Sequence, residues 1–164
     1  MRLLAYGRAV AHVRAALSVI FVAFLLVPVA QGTTLSRSER TLVGAVNDVR
    51  AAHNLRPLAV DRKLLATARA YSATMLREDI FTHGAFVERL TRSGARGPAF
   101  GENLAWVAGD RAGARRIVDM WLASPGHRAT LLRPGWTRVG IGTRVGTFLG
   151  LPSATVVTAD FAGS

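Results

Sequence analysis

The hydrophobic period of this chain changes once, and that change limits the folds open to it. Up to residue 132, apolar residues recur at the three- and four-residue spacing of amphipathic helices. From Val139 onward they alternate with other residues or crowd into β-branched runs. Helices first and strands last, without a regular β-α-β alternation, predict an α+β domain whose helices cover an antiparallel sheet.

Local signals place the elements. Ser36-Arg37-Ser38-Glu39 has the form of a capping box, in which hydroxyl and carboxylate satisfy the free amides of a helix start. Leu42, Val46 and Val49 follow at helical spacing, and the helix is expected to stop near His53, before Asn54 and Pro57. Asp61 caps a second helix with a stripe of Leu64, Leu65, Ala68, Tyr71 and Met75, predicted to end near Thr82-His83-Gly84 with Gly84 in the left-handed turn. A short amphipathic piece, Phe86 to Leu90, precedes an irregular loop, Ser93 to Pro98. Asp110 is the expected cap of a third helix presenting Ala114, Ile117, Val118, Trp121 and Leu122, which Ser124-Pro125-Gly126 breaks. His127 to Leu132 form a further short helical turn before Pro134. Val139, Ile141 and Thr143 then mark one strand and Thr155 to Phe161 another, with Thr147 to Leu151 contributing to a hairpin between them.

The first fourteen residues carry Arg2, Arg8 and Arg14 and no acid, and they lead into an apolar run from Ala15 to Ala30 and a small-x-small site, Ala30-Gln31-Gly32. That order is the pattern of a secretory signal peptide. Residues 1–32 are therefore expected to be removed, leaving one domain over 33–164, secreted or extracellular. The competing reading is an uncleaved membrane anchor, although the run is shorter than the roughly twenty residues a spanning helix needs. The chain has no cysteine, which excludes a lipid-anchored lipoprotein and a disulfide framework; stability has to come from a packed core.

Formal net charge is +11, and about +8 remains once the three leading arginines are removed. The basic residues, all arginine except Lys63, are scattered along the sequence instead of clustered. That argues against nucleic acid and, for an exported protein, points to anionic lipid headgroups or other anionic envelope components as partners.

Three residues far apart in sequence are candidates for a shared site: His83, Glu102 in the stretch GENLAW, and His127 in SPGHRATLL. Each also has a purely structural reading: a histidine on a helix dipole, a surface carboxylate, a cap of a short helix. No two of them stand at the i, i+4 spacing of a helical metal motif. Ser124 lies near His127, but no G-x-S-x-G elbow surrounds it, which argues against a serine hydrolase.

The order of several stretches resembles the CAP superfamily, also called the SCP domain, of cysteine-rich secretory proteins, antigen 5 and pathogenesis-related proteins, and most of all its cysteine-free bacterial branch. The stretches are VNDVRAAHNLRPLAVDRKLLATARAYSATML, FTHG, GENLAW, VDMWLASPGHRATLLRPGWTRVGIG and TADF. The resemblance implies a three-layer α-β-α sandwich with a central antiparallel sheet and a cleft. In much of the family that cleft holds two histidines and two glutamates, and some members bind a divalent metal there. Carried over, these positions are His83, Glu102 and His127; the second glutamate has no counterpart, and Ser124 or a neighbour stands in its place.

Two imidazoles and a carboxylate form the ligand set of several catalytic zinc sites, so a divalent metal such as zinc on His83, Glu102 and His127 is one reading. The other, favoured, has both histidines hydrogen-bond Glu102 in a buried network. Asn103, Ser124 and Arg128 are expected to support the cleft, Asn103 by bonding to backbone, and Trp136 to border a groove. The resemblance implies an exported binding module for lipid or another small ligand more than an enzyme; the alternative is a metal-dependent hydrolase acting on peptides or cell-wall material.

Overall fold

In the computed structural model, which describes residues 34–109 and 113–163, the capping box forms as its sequence requires. Ser36 Oγ accepts from the Glu39 amide, and Glu39 reaches back to the Ser36 amide, at the start of helix α1, Arg37–Ala52. Glu39 is buried, and the Arg69 guanidinium meets both its oxygens, at 2.8 and 2.6 Å. The predicted signal segment and the predicted cap Asp110 lie outside the described residues.

Strand β1, Ala59–Val60, is followed by helix α2, Arg62–Glu78, which Asp61 caps by accepting from the amides of Lys63 and Leu64. The expected stripe Leu64, Leu65, Ala68, Tyr71 and Met75 is buried. The helix stops earlier than the sequence suggested. Asp79, at φ 52°, takes the left-handed cap, and its carboxylate accepts from the Leu149 amide at 2.5 Å, a tertiary tie that local sequence does not reveal. Gly84 is left-handed too, but in the loop beyond.

Helix α3, Phe86–Arg92, leads through the irregular loop to strand β2, Phe100–Val107, which contains GENLAW. Helices α4, Ala114–Ala123, and α5, Pro125–Leu131, meet at Ser124, which ends one and caps the other. Pro125 does more than break α4: at the first turn of α5 its missing N–H costs nothing. Strands β3, Trp136–Phe148, and β4, Leu151–Gly163, form a hairpin through Leu149 and Gly150, both with positive φ.

The sheet order is β1-β3-β4-β2. β4 pairs antiparallel with β3 and β2; only the short edge strand β1 runs parallel to its neighbour. Helices cover both faces, giving the three layers. On one face Val139, Ile141, Val157, Ala159 and Phe161 pack with Leu42 and Val46 of α1 and with Ile117, Val118 and Trp121 of α4. The other face receives α2 directly on the backbone of β3. A Cβ at Gly140 would lie 2.1 Å from the Leu64 carbonyl carbon, and one at Gly142 would lie 2.2 Å from the Arg69 nitrogen. The glycines that alternate with apolar residues in β3 are therefore the seat of a helix.

Candidate functional site

The loop between α2 and α3 sets the position of His83. Tyr71 of α2 donates its hydroxyl to the Thr82 carbonyl at 2.6 Å, and Gly84, at φ 52°, turns the chain so closely over Tyr71 that a Cβ there would lie 2.9 Å from the hydroxyl. His83 then presents Nδ1 to Glu102 Oε1 at 2.8 Å. Its side chain is half exposed, whereas that of Glu102 is fully buried. The helix-dipole reading of His83 does not apply, because α2 has already ended.

Glu102 sits within β2, so that GENLAW is part of a strand. Gly101 has no left-handed backbone; it is small because Trp136 packs there, with a ring atom 2.7 Å from any added Cβ. The second Glu102 oxygen accepts from Arg89 Nη2 of α3. Arg89 also donates to the His83 carbonyl at 3.2 Å, and its guanidinium lies over the Tyr71 ring, 3.4 Å from the centroid.

Across the sheet, Glu102 is the register partner of Asp160, whose side chain has no exposure at all. Neither Asp160 oxygen meets an N–H or hydroxyl donor among the described groups. The group it faces across the register is the Glu102 carboxyl, and two buried carboxyls so placed do not both ionise. Burial, then the Glu102 charge, push Asp160 well above the ordinary aspartate range. Burial raises Glu102 as well, and Arg89, then His83 and Asp160, offset only part of that rise. Asp160, the more strongly raised of the two, is thus the protonated member of the pair, Glu102 the carboxylate, and Arg89 its counter-ion. With no exposure, Asp160 reaches no substrate.

His127, at the first turns of α5, faces His83 with ring centroids 6.5 Å apart. Burial and the neighbouring His83 lower its pKa. Its backbone is held from β2: Asn103, fully buried, donates Nδ2 to the His127 carbonyl at 3.0 Å. The expected backbone bond of Asn103 is therefore present, from a strand. Ser124 lies close by, while Arg128 is exposed, with Nη2 3.4 Å from His53 Nε2.

His83 therefore bonds Glu102 and His127 lies beside His83, but the expected bond from His127 to Glu102 is not made among the described residues, because Arg89 takes the second carboxylate oxygen. The three do not fit a metal ion as arranged. His83 and Arg89 engage both oxygens of Glu102, and a guanidinium is a poor neighbour for a second cation. Among the described residues no group of three or more His, Cys, Asp or Glu is placed to hold one.

Two unlike recesses flank the histidine pair. One, about 250 Å³, is lined by Phe81, Leu104, Trp106, Met120 and Trp121, with His127 at its edge. The other, about 500 Å³, has Phe86, Phe100 and Trp136 in its wall, with His83 and Arg133. Trp136 borders a groove, as expected from the sequence.

The pattern of the cysteine-rich secretory protein family matches residues 43–160. The chain belongs to the CAP family. YkwD, an uncharacterised protein of Bacillus subtilis, is 30% identical over 115 residues, covering 67% of this chain and 44% of YkwD. A pathogenesis-related protein of the PR-1 type from Sambucus nigra is 32% identical over 106 residues, 65% of this chain and 57% of that protein. This CAP chain spans less than two thirds of either relative. Among solved structures, an extracellular SCP-domain protein of Bacillus anthracis superposes with a TM-score of 0.64 at 24% identity, covering 81% of this chain and 45% of that one. An outer surface protein of Borrelia burgdorferi superposes at 0.60 with 22% identity, covering 76% and 92%. These likenesses establish the sandwich fold.

Arg89 and Asp160 were not anticipated as site residues. Asp160 left one signal, an acid inside the β-branched run Thr155 to Phe161. Arg89 left none: nothing local distinguishes it from the other arginines.

Proposed function

We propose that this CAP protein is an exported binding domain for a small amphiphile, a lipid or lipid-like molecule, taken into the cleft at His83 and His127. The observation that carries the reading is the pair of unlike recesses on either side of the two histidines. An acyl chain suits the wall of Phe81, Trp106 and Met120. An anionic head suits the side of His83 and Arg133, since Glu102 is already neutralised by Arg89. The arrangement favours binding over chemistry, because the carboxylate that a hydrolase would use is committed on both oxygens. Export follows from the leader-like residues 1–32, and the extracellular and outer-surface proteins that share the fold agree with it.

Purified protein incubated with labelled phospholipids and fatty acids is expected to retain one class. Phe81→Ser should lower retention severalfold without unfolding the domain, because Phe81 is 44% exposed. Retention of no lipid class by folded protein would sink the proposal. Stoichiometric zinc in protein purified without chelators, with a hydrolysis lost on chelation, would move the reading to a metal-dependent hydrolase. The mass of the exported protein separates a cleaved leader from a membrane anchor.

A further inference from the structure

We propose that the edge where the end of α1 meets α5 binds an anionic phospholipid, its phosphate held between Arg128 and Arg133 over an apolar floor. The ligand class rests on the lipid reading above; Arg133 and Ala129 also border the recess at His83, but Arg128, Pro125, Leu132 and Pro134 lie outside both recesses that flank the histidine pair.

Arg50, in the last turn of α1, has no exposure. Its guanidinium donates to four carbonyls: Arg56 at 3.1 Å, Leu131 at 2.9 Å, Arg133 at 3.2 Å and Trp136 at 3.4 Å. These bonds tie the end of α5 to α1. No carboxylate pairs with Arg50 among the described residues. A buried cation answered only by carbonyl dipoles leaves a positive field at the surface above it.

Two further arginines lie over that buried charge, and neither pairs with a carboxylate among the described residues. Arg128 approaches only His53 Nε2, and Arg133 rests on the Trp136 ring, 4.7 Å from its centroid. The buried carboxylates are used elsewhere, Glu39 on Arg69 and Glu102 on Arg89. Between Arg128 and Arg133 runs an open groove of about 480 Å³ floored by Pro125, Ala129, Leu132 and Pro134. Paired guanidiniums present planar forks of N–H donors that match phosphate oxygens. A free phosphate would leave the apolar floor in water, whereas a phospholipid covers it with the start of its acyl chains. Charge and floor together select the amphiphile.

The test is partition of purified protein between buffer and vesicles of phosphatidylcholine, with and without phosphatidylglycerol. Wild-type protein should prefer the anionic vesicles, and the preference should shrink with added salt. Arg128→Ser, which leaves both histidine recesses intact, should bind them about fivefold more weakly, and Arg128→Ser/Arg133→Ser about thirtyfold, the effect of one and of two basic residues at an anionic surface. Arg115→Ser/Arg116→Ser removes the same charge from α4 and should stay close to wild type. The proposal is overturned if both double variants lose equally, if folded wild-type protein shows no anionic preference, or if inorganic phosphate binds at Arg128 and Arg133 while vesicles do not. Phe81→Ser should leave vesicle binding intact. A protein that retains no lipid in its cleft, yet needs the two arginines for vesicles, refutes the cleft reading alone.

Discussion

Glu102 and Asp160 stand opposite each other on β2 and β4 as Cα partners, and both carboxyls are buried. Two like charges directly opposite on one sheet face are destabilising. The pair avoids this by keeping a proton on Asp160 and leaving Glu102 to Arg89 and His83. One negative charge then faces one permanent positive charge, a neutral cluster between the sheet and the α2–α3 layer.

This pair predicts a pH dependence. Asp160 holds its proton more tightly folded than unfolded, so its contribution is fully present below the ordinary aspartate range and is lost as pH rises toward its raised folded value. Asp160→Asn keeps a donor for Glu102 and cannot ionise. The ratio of variant to wild-type folding constants should grow with pH by up to about tenfold per unit across that window. Urea unfolding at a series of pH values measures it, and parallel stability curves for the two proteins would contradict the assignment.

Arg89 is predicted to matter for stability more than its place on a short helix suggests. Its removal leaves the Glu102 charge buried without a cation, at a cost of about 3–5 kcal/mol for Arg89→Ala. Glu102→Gln in the same chain should recover much of that loss, because no charge remains to be stranded. A double-mutant cycle by urea denaturation reads the coupling, and additive losses would show that the two side chains act independently.

The parts of the fold that the sequence made legible are those fixed by neighbours along the chain. The Ser36 box, the Asp61 cap and the β-branched run of β4 need only a few adjacent residues. What was missed depends on distant partners. The end of α2 lies at Asp79 because Leu149 supplies a donor from the hairpin. Local signals place no element on β2, because Gly101, Glu102 and Asn103 interrupt its apolar pattern, yet each answers a remote group: Trp136, Arg89 and the His127 carbonyl. In the same way the motif order brought His83, Glu102 and His127 together, while Asp160 entered only through the register of β2 on β4.

His127 should titrate below the ordinary histidine range, burial being the larger cause and His83 the smaller. Its contribution to stability is present above the unfolded value near 6.5 and is lost as pH falls toward the lowered folded one. His83→Gln should raise the His127 midpoint part of the way back and no further, because the burial remains. Imidazole carbon–proton resonances followed through a pH series report both midpoints. An unchanged His127 midpoint in the variant would mean that the two rings do not sense each other.

The seat of α2 on β3 gives the sharpest prediction about the fold. At Gly140 and Gly142 an added methyl meets helix backbone at 2.1 and 2.2 Å, and backbone cannot step aside as a side chain can. Gly140→Ala or Gly142→Ala therefore lifts α2 from the sheet, opens the packing of Leu64, Ala68 and Met75, and should cost about 3 kcal/mol or more. At Gly146 the nearest atom is the end of Leu76, at 2.9 Å, which can rotate away, so Gly146→Ala should cost far less. Gly44, inside α1 with open space around its Cβ position, should gain up to about 1 kcal/mol as alanine. Urea midpoints should rank Gly44→Ala above wild type, Gly146→Ala below it and the two β3 variants far below. Gly140→Ala as stable as Gly146→Ala would mean that α2 does not rest on this strand.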